Sequence, residues 1–384
     1  MEVGGPRDLT SAVELRALLV LRLLPGIGDR TALRLLRAQG SASRALALPA
    51  PAFAAAAGTG AERARGDGRI HARSDEVLES CARLGIRIVP FGGEEYPRSL
   101  HALVDPPPLL FLRGRRPLPG ERTVAIVGSR RATPVGRRAA ERLGRELSEA
   151  GVTVVSGMAL GIDGAAHRGG LAGEGGTVAV LGSGPDRPHP PGNRGLFERI
   201  LREGLVVSEF PPGEPARPYH FPRRNRLIAA LARAVVVVEA AERSGALITV
   251  DHALDLGLDV FAVPGSVETP QAAGANALIR DGAHLLTRGE ELMEVMGWSA
   301  PPRATLDALP AEASPGAGSG EAAIRTFAAA LGQSPRSLEQ LVEALGITAS
   351  AVLAQLTRAE IAGTARRSGE GWVRGEPPRS EVRG

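Results

Sequence analysis

The chain has 384 residues, of which 43% are apolar, and a formal net charge of +4 at pH 7. Its single cysteine, Cys81, excludes a disulfide framework and a cysteine-rich metal site, and the lack of an apolar run of about 18 residues excludes a membrane-spanning helix. All 46 basic residues are arginine, so phosphate contacts must come from guanidinium groups, backbone N–H groups or small polar side chains. We therefore expect a cytoplasmic protein that does not bind membranes, and any nucleic-acid surface must be a local arginine cluster.

Residues 1–100 are rich in Ala, Leu and Arg, and their pattern predicts an N-terminal helical domain. Within it, Leu21–Leu36 (LRLLPGIGDRTALRLL) predicts a helix-hairpin-helix or SAM-like hairpin. Its Gly-Ile-Gly turn would expose backbone N–H groups to a phosphate. A plain helical hairpin without a ligand explains the same residues equally well, and both interpretations stay open.

Residues 101–298 alternate short apolar strands with amphipathic helices, and the strands end in small residues, as in RTVAIVGSR, VTVVSG and TVAVLGSG. This alternation predicts an α/β fold with a Rossmann-like, doubly wound parallel sheet. Ligands of such sheets bind at the carboxyl ends of the strands, where helix N-termini favour anions.

The first of these turns is Gly128-Ser129-Arg130. Gly128 permits close backbone approach, Ser129 offers a hydroxyl, and Arg130 can hold a phosphate with two hydrogen bonds. The turn is neither the G-x-G-x-x-G dinucleotide motif nor a P-loop, which ends in Gly-Lys-Ser/Thr. An ordinary turn with a solvated arginine remains an equal alternative.

The second turn, Ser156-Gly157, opens a glycine-dense segment that ends at Leu171. Asp163 and His167 lie four residues apart, so a helix would place them on one face. An acid–base pair or a metal site is one interpretation, but a third metal ligand at suitable spacing is missing. We therefore favour structural roles for both side chains and expect no metal and no cofactor.

The segment His220–Leu231 (HFPRRNRLIAAL) carries the strongest nucleic-acid signal. Three arginines lie just before an apolar helix, with an asparagine between them and an aromatic ring beside them: Arg223, Arg224, Arg226, Asn225 and Phe221. Guanidinium groups bind phosphates, and the ring offers a stacking surface for an unpaired base. A solvated run of charge is the alternative. Ser244 and Gly245, at a later strand-to-helix junction, would contact an anion or only cap the helix.

The C-terminal part has three segments. Residues 299–320 have the composition of a linker, residues 321–375 predict a winged-helix domain whose hairpin turns at Ser368–Gly371, and residues 376–384 predict a disordered tail. Eight Arg and seven Glu between residues 321 and 384 nearly cancel, so this domain can contact a protein as easily as DNA.

Taken in order, IVGSR, SGMALGIDGAAHRGGL, VAVLGSGPD, PPGNRGLF, SEFPPG, FPRRNRLIAAL, VVVVEA, SGALIT, VFAVPGS and GANALIRDGA resemble the DNA-processing protein A (DprA, or Smf) family over residues 100–290. The resemblance implies a homodimer that binds and protects incoming single-stranded DNA. It also implies help in loading the RecA recombinase during natural transformation, with no enzymatic activity and no cofactor.

By this resemblance, the DNA pocket is formed by Gly128, Ser129, Arg130, Ser156, Gly157, Phe221, Arg224 and Asn225. The arginine run adds Arg223 and Arg226, and further candidates are Arg187, Arg217, Ser244 and Gly245. Two positions depart from the family pattern: Gly176 stands where many members have lysine, and His189-Pro190 replaces Tyr-Pro. Arg187, Arg217 or Arg223 would have to replace the lysine.

Two other classes of function remain. A nucleotide-cleaving Rossmann hydrolase would carry a PGGxGTxxE signature near residues 235–249, which read VVVVEAAERSGALIT and lack it. A winged-helix regulator would read duplex DNA through residues 321–375, but the near-neutral charge there counts against it. For single-strand binding through stacking and phosphate contacts, we expect little sequence preference.

Overall fold

The computed structural model describes residues 9–298, 331, 334–345, 349–361, 365–368 and 371–374. The chain forms two compact units, Met1–Arg303 and Ala304–Gly384. The predicted linker at 299–320 and tail at 376–384 lie outside the described residues. In the described part of the chain, none of the helices is both long and apolar enough to cross a membrane.

The first unit begins with helices that surround an apolar core of Leu21, Leu35 and Phe53. In chain order they are α1 (Ala12–Leu23), α2 (Asp29–Gln39), α3 (Ala42–Leu46), α4 (Ala50–Ala57), α5 (Thr59–Ala64) and α6 (Gly68–Leu84). The Ser11 side chain caps α1 by accepting from the N–H of Glu14, and Gly28 precedes α2. The turn at residues 24–28 joins α1 to α2.

A nine-stranded sheet follows. Its strands are β1 (Arg87–Pro90), β2 (Leu109–Gly114), β3 (Thr123–Val127), β4 (Thr153–Ser156), β5 (Thr177–Leu181), β6 (Leu205–Ser208), β7 (Ala234–Val237), β8 (Asp259–Ala262) and β9 (His284–Leu285). The spatial order is β1-β2-β6-β5-β4-β3-β7-β8-β9. Strands β3 to β9 pair in parallel with one another. At one edge β2 pairs antiparallel with β6, and β1 pairs antiparallel with β2.

Helices cover both faces of the sheet, which confirms the predicted doubly wound α/β core. They are α7 (Pro134–Glu149), α8 (Ile162–Gly170), α9 (Arg194–Glu203), α10 (His220–Ala230), α11 (Leu247–Asp255), α12 (Ala273–Arg280) and α13 (Gly289–Val295), with short 3-10 turns at Arg98–Ala102, Pro191–Asn193 and Pro270–Ala272. Residues alternate between the faces along β3: Val124 and Ile126 belong to the core under α7 and α8, whereas Ala125 and Val127 belong to the core under α10 and α11.

The direction in which the chain winds reverses beside β3. From β3 the strand order continues outward through β4, β5 and β6, and the chain then crosses back to place β7 on the other side of β3. The connections that leave β3 and β7 therefore diverge, and a crevice opens at the carboxyl ends of these two strands. This reversal of strand order positions the candidate site.

Glycines in the segment 156–171 allow close packing of helices. A Cβ atom on Gly169 would lie 2.1 Å from the carbonyl oxygen of Glu141 in α7. Gly161, just before α8, has a φ of +81°, and a Cβ there would lie 2.2 Å from the carbonyl oxygen of Ser129. The glycine density of this segment therefore serves α7–α8 packing and the path of the chain beneath the β3 turn.

The second unit contains α14 (Leu338–Leu345), α15 (Ala349–Ile361) and an antiparallel hairpin of β10 (Ala365–Ser368) and β11 (Gly371–Arg374). Leu341, Val352 and Leu356 form its apolar core together with Leu331 and Ala365. Two helices followed by a hairpin agree with the predicted winged helix. The helix expected at 321–330 and the hairpin turn at 369–370 lie outside the described residues.

Candidate nucleic-acid interface

A cavity of ≈ 410 Å³ opens at the carboxyl ends of β3 and β7. The turn after β3, the start of α8, one side of α10 and the chain after β7 contribute its walls. The described lining residues are Val127, Gly128, Ser129, Arg130, Arg131, Ala159, Asp163, Phe221, Pro222, Arg224, Asn225, Ile228, Ala241, Ser244, Gly245, Ala246, Ile248 and Thr249. Eight residues predicted from the sequence are brought together here: Gly128, Ser129, Arg130, Phe221, Arg224, Asn225, Ser244 and Gly245.

The turn after β3 is fixed by its backbone. The N–H of Ser129 donates to the carbonyl oxygen of Glu239 (2.6 Å), which joins the turn to the chain that follows β7. The Ser129 hydroxyl accepts from the N–H of Arg131 (3.1 Å), so its own proton can be donated to a ligand. Glu239 in turn accepts from the N–H and the hydroxyl of Thr133, the residue that caps α7. The cavity therefore has a rigid rim.

Arg130 and Phe221 form the open wall of the cavity. The Cζ atom of Arg130 lies 5.2 Å from the centroid of the Phe221 ring, and the ring of His189 lies 5.6 Å from the same centroid. Arg130 and Arg131 are exposed, and within the described part of the chain neither forms an ion pair with a carboxylate. Two exposed guanidinium groups therefore lie at the rim, and that of Arg130 lies beside a half-buried aromatic ring, a combination suited to a phosphate and an adjacent base.

Arg224 lies in the floor of the cavity. Its Nη1 group donates to the carbonyl oxygen of Gly157 (2.6 Å) and also to that of Val180, while Nε donates to Asn225 (3.4 Å). Burial lowers the pKa of Arg224 to about 10, and the charge of Asp163 opposes that shift. This arginine is thus held in place by backbone carbonyls, unlike the exposed Arg130.

Asp163 and Asn225 complete the floor. Asp163 is buried and accepts from the N–H of Ala159 (3.2 Å). Burial raises the pKa of its carboxyl group, and the charge of Arg224 acts in the opposite direction. The amide of Asn225 donates to the carbonyl oxygen of Gly245 (3.2 Å), so it ties α10 to the turn after β7.

Arg223 and Arg226 point to the other side of α10. Arg223 contacts Asp29 (2.5 Å) and Glu209 (2.9 Å), and Arg226 contacts Glu209 (2.6 Å). Arg22 contacts Asp29 as well (3.3 Å). These five residues form a largely buried ion cluster that joins α1 and α2 to α10 and to the chain after β6, so the structure does not bring Arg223 and Arg226 to the cavity.

The position of the helix explains this separation. The sequence placed the three arginines before the helix, whereas α10 begins at His220 and contains them. Pro222 lies in the first turn, where a missing N–H disrupts no helical hydrogen bond. Residues three apart share a helix face, so Arg223 and Arg226 face the ion cluster, while Phe221, Arg224 and Asn225 face the cavity.

The remaining predicted residues lie apart from the cavity wall. The Ser156 hydroxyl is buried and donates to the carbonyl oxygen of Ile126 (2.6 Å), and Gly157 supplies the carbonyl that holds Arg224. Arg187 is exposed on the loop after β5, and Arg217 pairs with Glu214 (3.2 Å). Ser156 and Gly157 thus support the floor from within the sheet.

Gly176 lies at the amino end of β5, whereas the cavity lies at the carboxyl ends of the parallel strands. A Cβ atom on Gly176 would lie 2.5 Å from the guanidinium of Arg116, which donates to the carbonyl oxygen of Glu203 (3.0 Å). The lack of a lysine at this position therefore removes no contact from the cavity, and Arg187, Arg217 and Arg223 need not replace one.

His167 and Asp163 bond to different partners although they lie on one helix. The hydroxyl of Thr177 donates to the carbonyl oxygen of Val154 (2.8 Å) and accepts from Nδ1 of His167 (2.7 Å). Burial lowers the pKa of His167 to about 3. Among the residues that the structure describes, no three His, Cys, Asp or Glu side chains are grouped to hold a metal ion.

Sequence reasoning missed Arg131, Ile248 and the floor position of Asp163. Arg131 follows Arg130 directly, and the sharp turn allows both to reach the rim. Ile248 sits in the first turn of α11, where an apolar residue looks like any core position. The aspartate in GID gave a signal through its place at a helix start, but the sequence did not show that a cavity lies above it.

A doubly wound sheet with an arginine-bearing cavity at the reversal of its strand order defines a Rossmann-like protein whose cavity carries side chains suited to an anion. Residues 87–297 match the family model for DNA recombination-mediator protein A, and residues 308–371 match the DprA winged helix domain. The chain therefore belongs to the DNA recombination-mediator protein A family, the DprA or Smf proteins of DNA processing.

Two curated relatives illustrate the similarity. A putative DNA processing protein DprA from Mycobacterium tuberculosis is 40% identical over 259 residues, which are 65% of this chain and 64% of that protein. The match thus spans less than two thirds of the mycobacterial relative. The DNA processing protein DprA of Streptococcus pneumoniae is 43% identical over 198 residues, or 52% of this chain and 70% of the relative.

Solved structures show the same similarity. The crystal structure of DprA from Streptococcus pneumoniae superimposes with a TM-score of 0.63 at 34% identity, covering 72% of this chain and 97% of that one. DNA processing protein A from Helicobacter pylori, whose structure was described for its single-stranded DNA binding mode, gives a TM-score of 0.51 at 27% identity, covering 56% and 97%.

Proposed function

We propose that this chain binds single-stranded DNA in the cavity at the carboxyl ends of β3 and β7. A backbone phosphate lies against the turn Gly128–Arg131, and an unpaired base stacks beside Phe221. The observation that carries the proposal is the pairing of two exposed arginines, free of carboxylate partners in the described part of the chain, with an aromatic ring at the strand ends. The Helicobacter pylori relative, described for single-stranded DNA binding, supports the same assignment.

The size and chemistry of the cavity support a nucleotide as the ligand. A volume of ≈ 410 Å³ lies within the range of about 300–1,000 Å³ that holds small organic ligands. The described lining residues include no His and no Cys, and the Ser129 hydroxyl faces the N–H of Arg131 instead of a base. The proposal therefore contains binding and no catalytic step.

Membership of this family supports a proposal for the wider role. We propose that the protein acts as a homodimer in the cytoplasm, protects incoming single-stranded DNA and helps a RecA recombinase assemble on it during natural transformation. A site built on phosphate contacts and stacking suits this role because it accepts most sequences. A RecA filament-assembly assay on oligo-dT tests this step. Faster assembly in the presence of the protein would support it, and unchanged assembly would contradict it.

Fluorescence anisotropy tests DNA binding itself, with labelled oligo-dT and its duplex titrated over a series of salt concentrations. We expect preference for the single strand and affinity that falls with salt, because each phosphate-bound arginine contributes about −0.7 to the logarithmic slope for single strands. Arg130→Ala should reduce that slope by about 0.7. Arg280→Ala is the matched control, since it removes the same charge from an exposed site outside the cavity. Duplex preference, or salt-independent binding, would overturn the proposal.

A further inference from the structure

The two ends of the cavity differ in their charged groups. The rim carries Arg130 and Arg131, whereas the floor carries Arg224 together with Asp163, the second residue of α8. Asp163 accepts from the N–H of Ala159, which lies three residues before α8 begins. The floor therefore offers a phosphate a guanidinium that already lies near a carboxyl group, whereas the rim offers two guanidinium groups that form no ion pair among the described residues. The rim is the better phosphate site, and the floor is left for another part of the nucleotide.

The floor holds a hydrogen-bond donor beside an acceptor. Nη2 of Arg224 and Oδ2 of Asp163 lie 2.6 Å and 2.7 Å from the position that a Cβ atom on Gly157 would occupy. Glycine at this position thus leaves room for both groups to approach one point. Both side chains are buried, with 3% of Arg224 and 6% of Asp163 exposed.

Both groups retain hydrogen-bonding capacity. The bonds of Arg224 involve Nη1 and Nε, and within the described residues Nη2 donates to no partner. The backbone N–H groups of Ala159 and Gly157 face Asp163, whereas a carboxylate offers about four acceptor positions. Buried polar groups with open positions on a cavity wall are satisfied when a ligand enters.

We propose that Arg224 and Asp163 read the Watson–Crick edge of one unpaired base and prefer guanine. The inference rests on the proposed single-strand binding. Guanine presents an acceptor, O6, to Nη2 of Arg224, and two neighbouring donors, N1–H and N2–H, to the carboxylate of Asp163. Thymine offers one acceptor and one donor to the pair, and adenine and cytosine offer one amino donor beside a ring acceptor.

This reading adds a preference at one nucleotide to binding that tolerates sequence elsewhere. Hydrogen bonds to a charged group are stronger than neutral ones, and the loss of one weakens binding by about tenfold. In a strand in which every second base is guanine, roughly half of the binding registers place guanine in the floor. We therefore expect a difference of about fivefold between strands with and without the guanine N2 amino group.

Anisotropy with three labelled 12-mers tests the proposal: alternating dT/dG, alternating dT/dI, and oligo-dT. Inosine lacks only the N2 amino group of guanine. The native chain should bind the dT/dG strand about fivefold more tightly than the dT/dI strand, and Asp163→Asn should reduce the difference to less than about twofold. Asp251→Asn, an exposed aspartate on α11 outside the cavity lining, should keep the full difference.

The outcomes separate this inference from the proposed function. Equal affinity of the native chain for dT/dG and dT/dI overturns base reading, and this comparison needs no variant that has to fold. If oligo-dT still binds in an Arg130-dependent manner, the single-strand site stands without the guanine preference. If no strand binds, both proposals are wrong. A dT/dG preference that survives Asp163→Asn also overturns the assignment to Asp163.

Discussion

Two pairs of arginines in this protein have opposite surroundings. Arg130 and Arg131 are exposed at a cavity rim, and among the described residues no carboxylate pairs with them. Arg223 and Arg226 contact Glu209, whose side chain is 0% exposed. An exposed guanidinium can exchange water for phosphate at little cost, whereas a paired one must first lose its carboxylate. The ion pairs that each arginine forms in the folded chain therefore indicate a DNA site better than the density of arginines along the sequence.

The ion cluster gives the largest expected effect. Glu209→Ala removes the nearest carboxylate of the buried Arg226, at 2.6 Å, and leaves it, among the described residues, only those of Asp29 and Asp105, both at 3.7 Å. Removal of one partner from a buried pair destabilises by about 3–5 kcal/mol. Urea denaturation measures the loss. Glu203→Ala is the control, because its pair with Arg199 is half-exposed and such pairs contribute about 0–1 kcal/mol. Similar losses in both variants would show that the cluster is no more important than a surface pair.

The segment 156–171 holds two buried titratable groups with different surroundings: Asp163 lines the cavity, whereas His167 is enclosed within the fold. Burial lowers the pKa of folded His167 to about 3 from an ordinary value of 6.5. Below that ordinary value the unfolded chain takes up a proton that the folded chain does not. Stability therefore falls as pH decreases from 6.5 towards 3, by up to about 1.4 kcal/mol per pH unit.

Denaturation at pH 7 and pH 5 checks this dependence. We expect the native chain to lose about 2 kcal/mol over that interval through His167. Between pH 7 and pH 5, the free energy of unfolding of His167→Gln should fall by about 2 kcal/mol less than that of the native chain. This difference does not depend on how stable the variant is at pH 7. Identical losses in the two proteins would contradict the buried, neutral histidine.

The contribution of the Phe221 ring to DNA binding tests the cavity side of this comparison. Phe221→Ala removes the ring beside Arg130, and loss of base stacking weakens binding by about 1–3 kcal/mol, or at least about fivefold. Phe221→Trp keeps a stacking surface and should bind oligo-dT within about twofold of the native chain. Anisotropy distinguishes the two variants. Unchanged binding by Phe221→Ala would exclude the ring from the DNA path.

Arg131→Ala should have the smallest effect on this side. Arg131 reaches the rim but lacks the aromatic contact that orients Arg130, so we expect binding to weaken by about threefold, with a salt slope shallower by about 0.7. A salt series of anisotropy titrations measures both quantities. An unaltered slope would mean that Arg131 binds no phosphate.

The sequence predicted the sheet because β3 alternates between two buried faces and ends in Gly128-Ser129-Arg130. It also predicted the residues that share the strand-end cavity, since carboxyl ends of parallel strands meet at one edge. The local sequence pattern could not predict the partners of Arg223. Asp29 is 194 residues away along the chain, and Glu209 is 14 residues away. Nor does a local pattern show that α10 starts at His220 and so directs neighbouring arginines to opposite sides.

The most direct test compares Arg130→Ala with Arg223→Ala in oligo-dT binding, at a temperature where thermal denaturation shows both variants to be folded. Each variant removes one guanidinium, and the two positions differ in carboxylate contacts. We predict that Arg130→Ala weakens binding by about tenfold and Arg223→Ala by less than about twofold. Equal losses, or a larger loss for Arg223→Ala, would contradict the assignment of single-stranded DNA to the cavity at the carboxyl ends of β3 and β7.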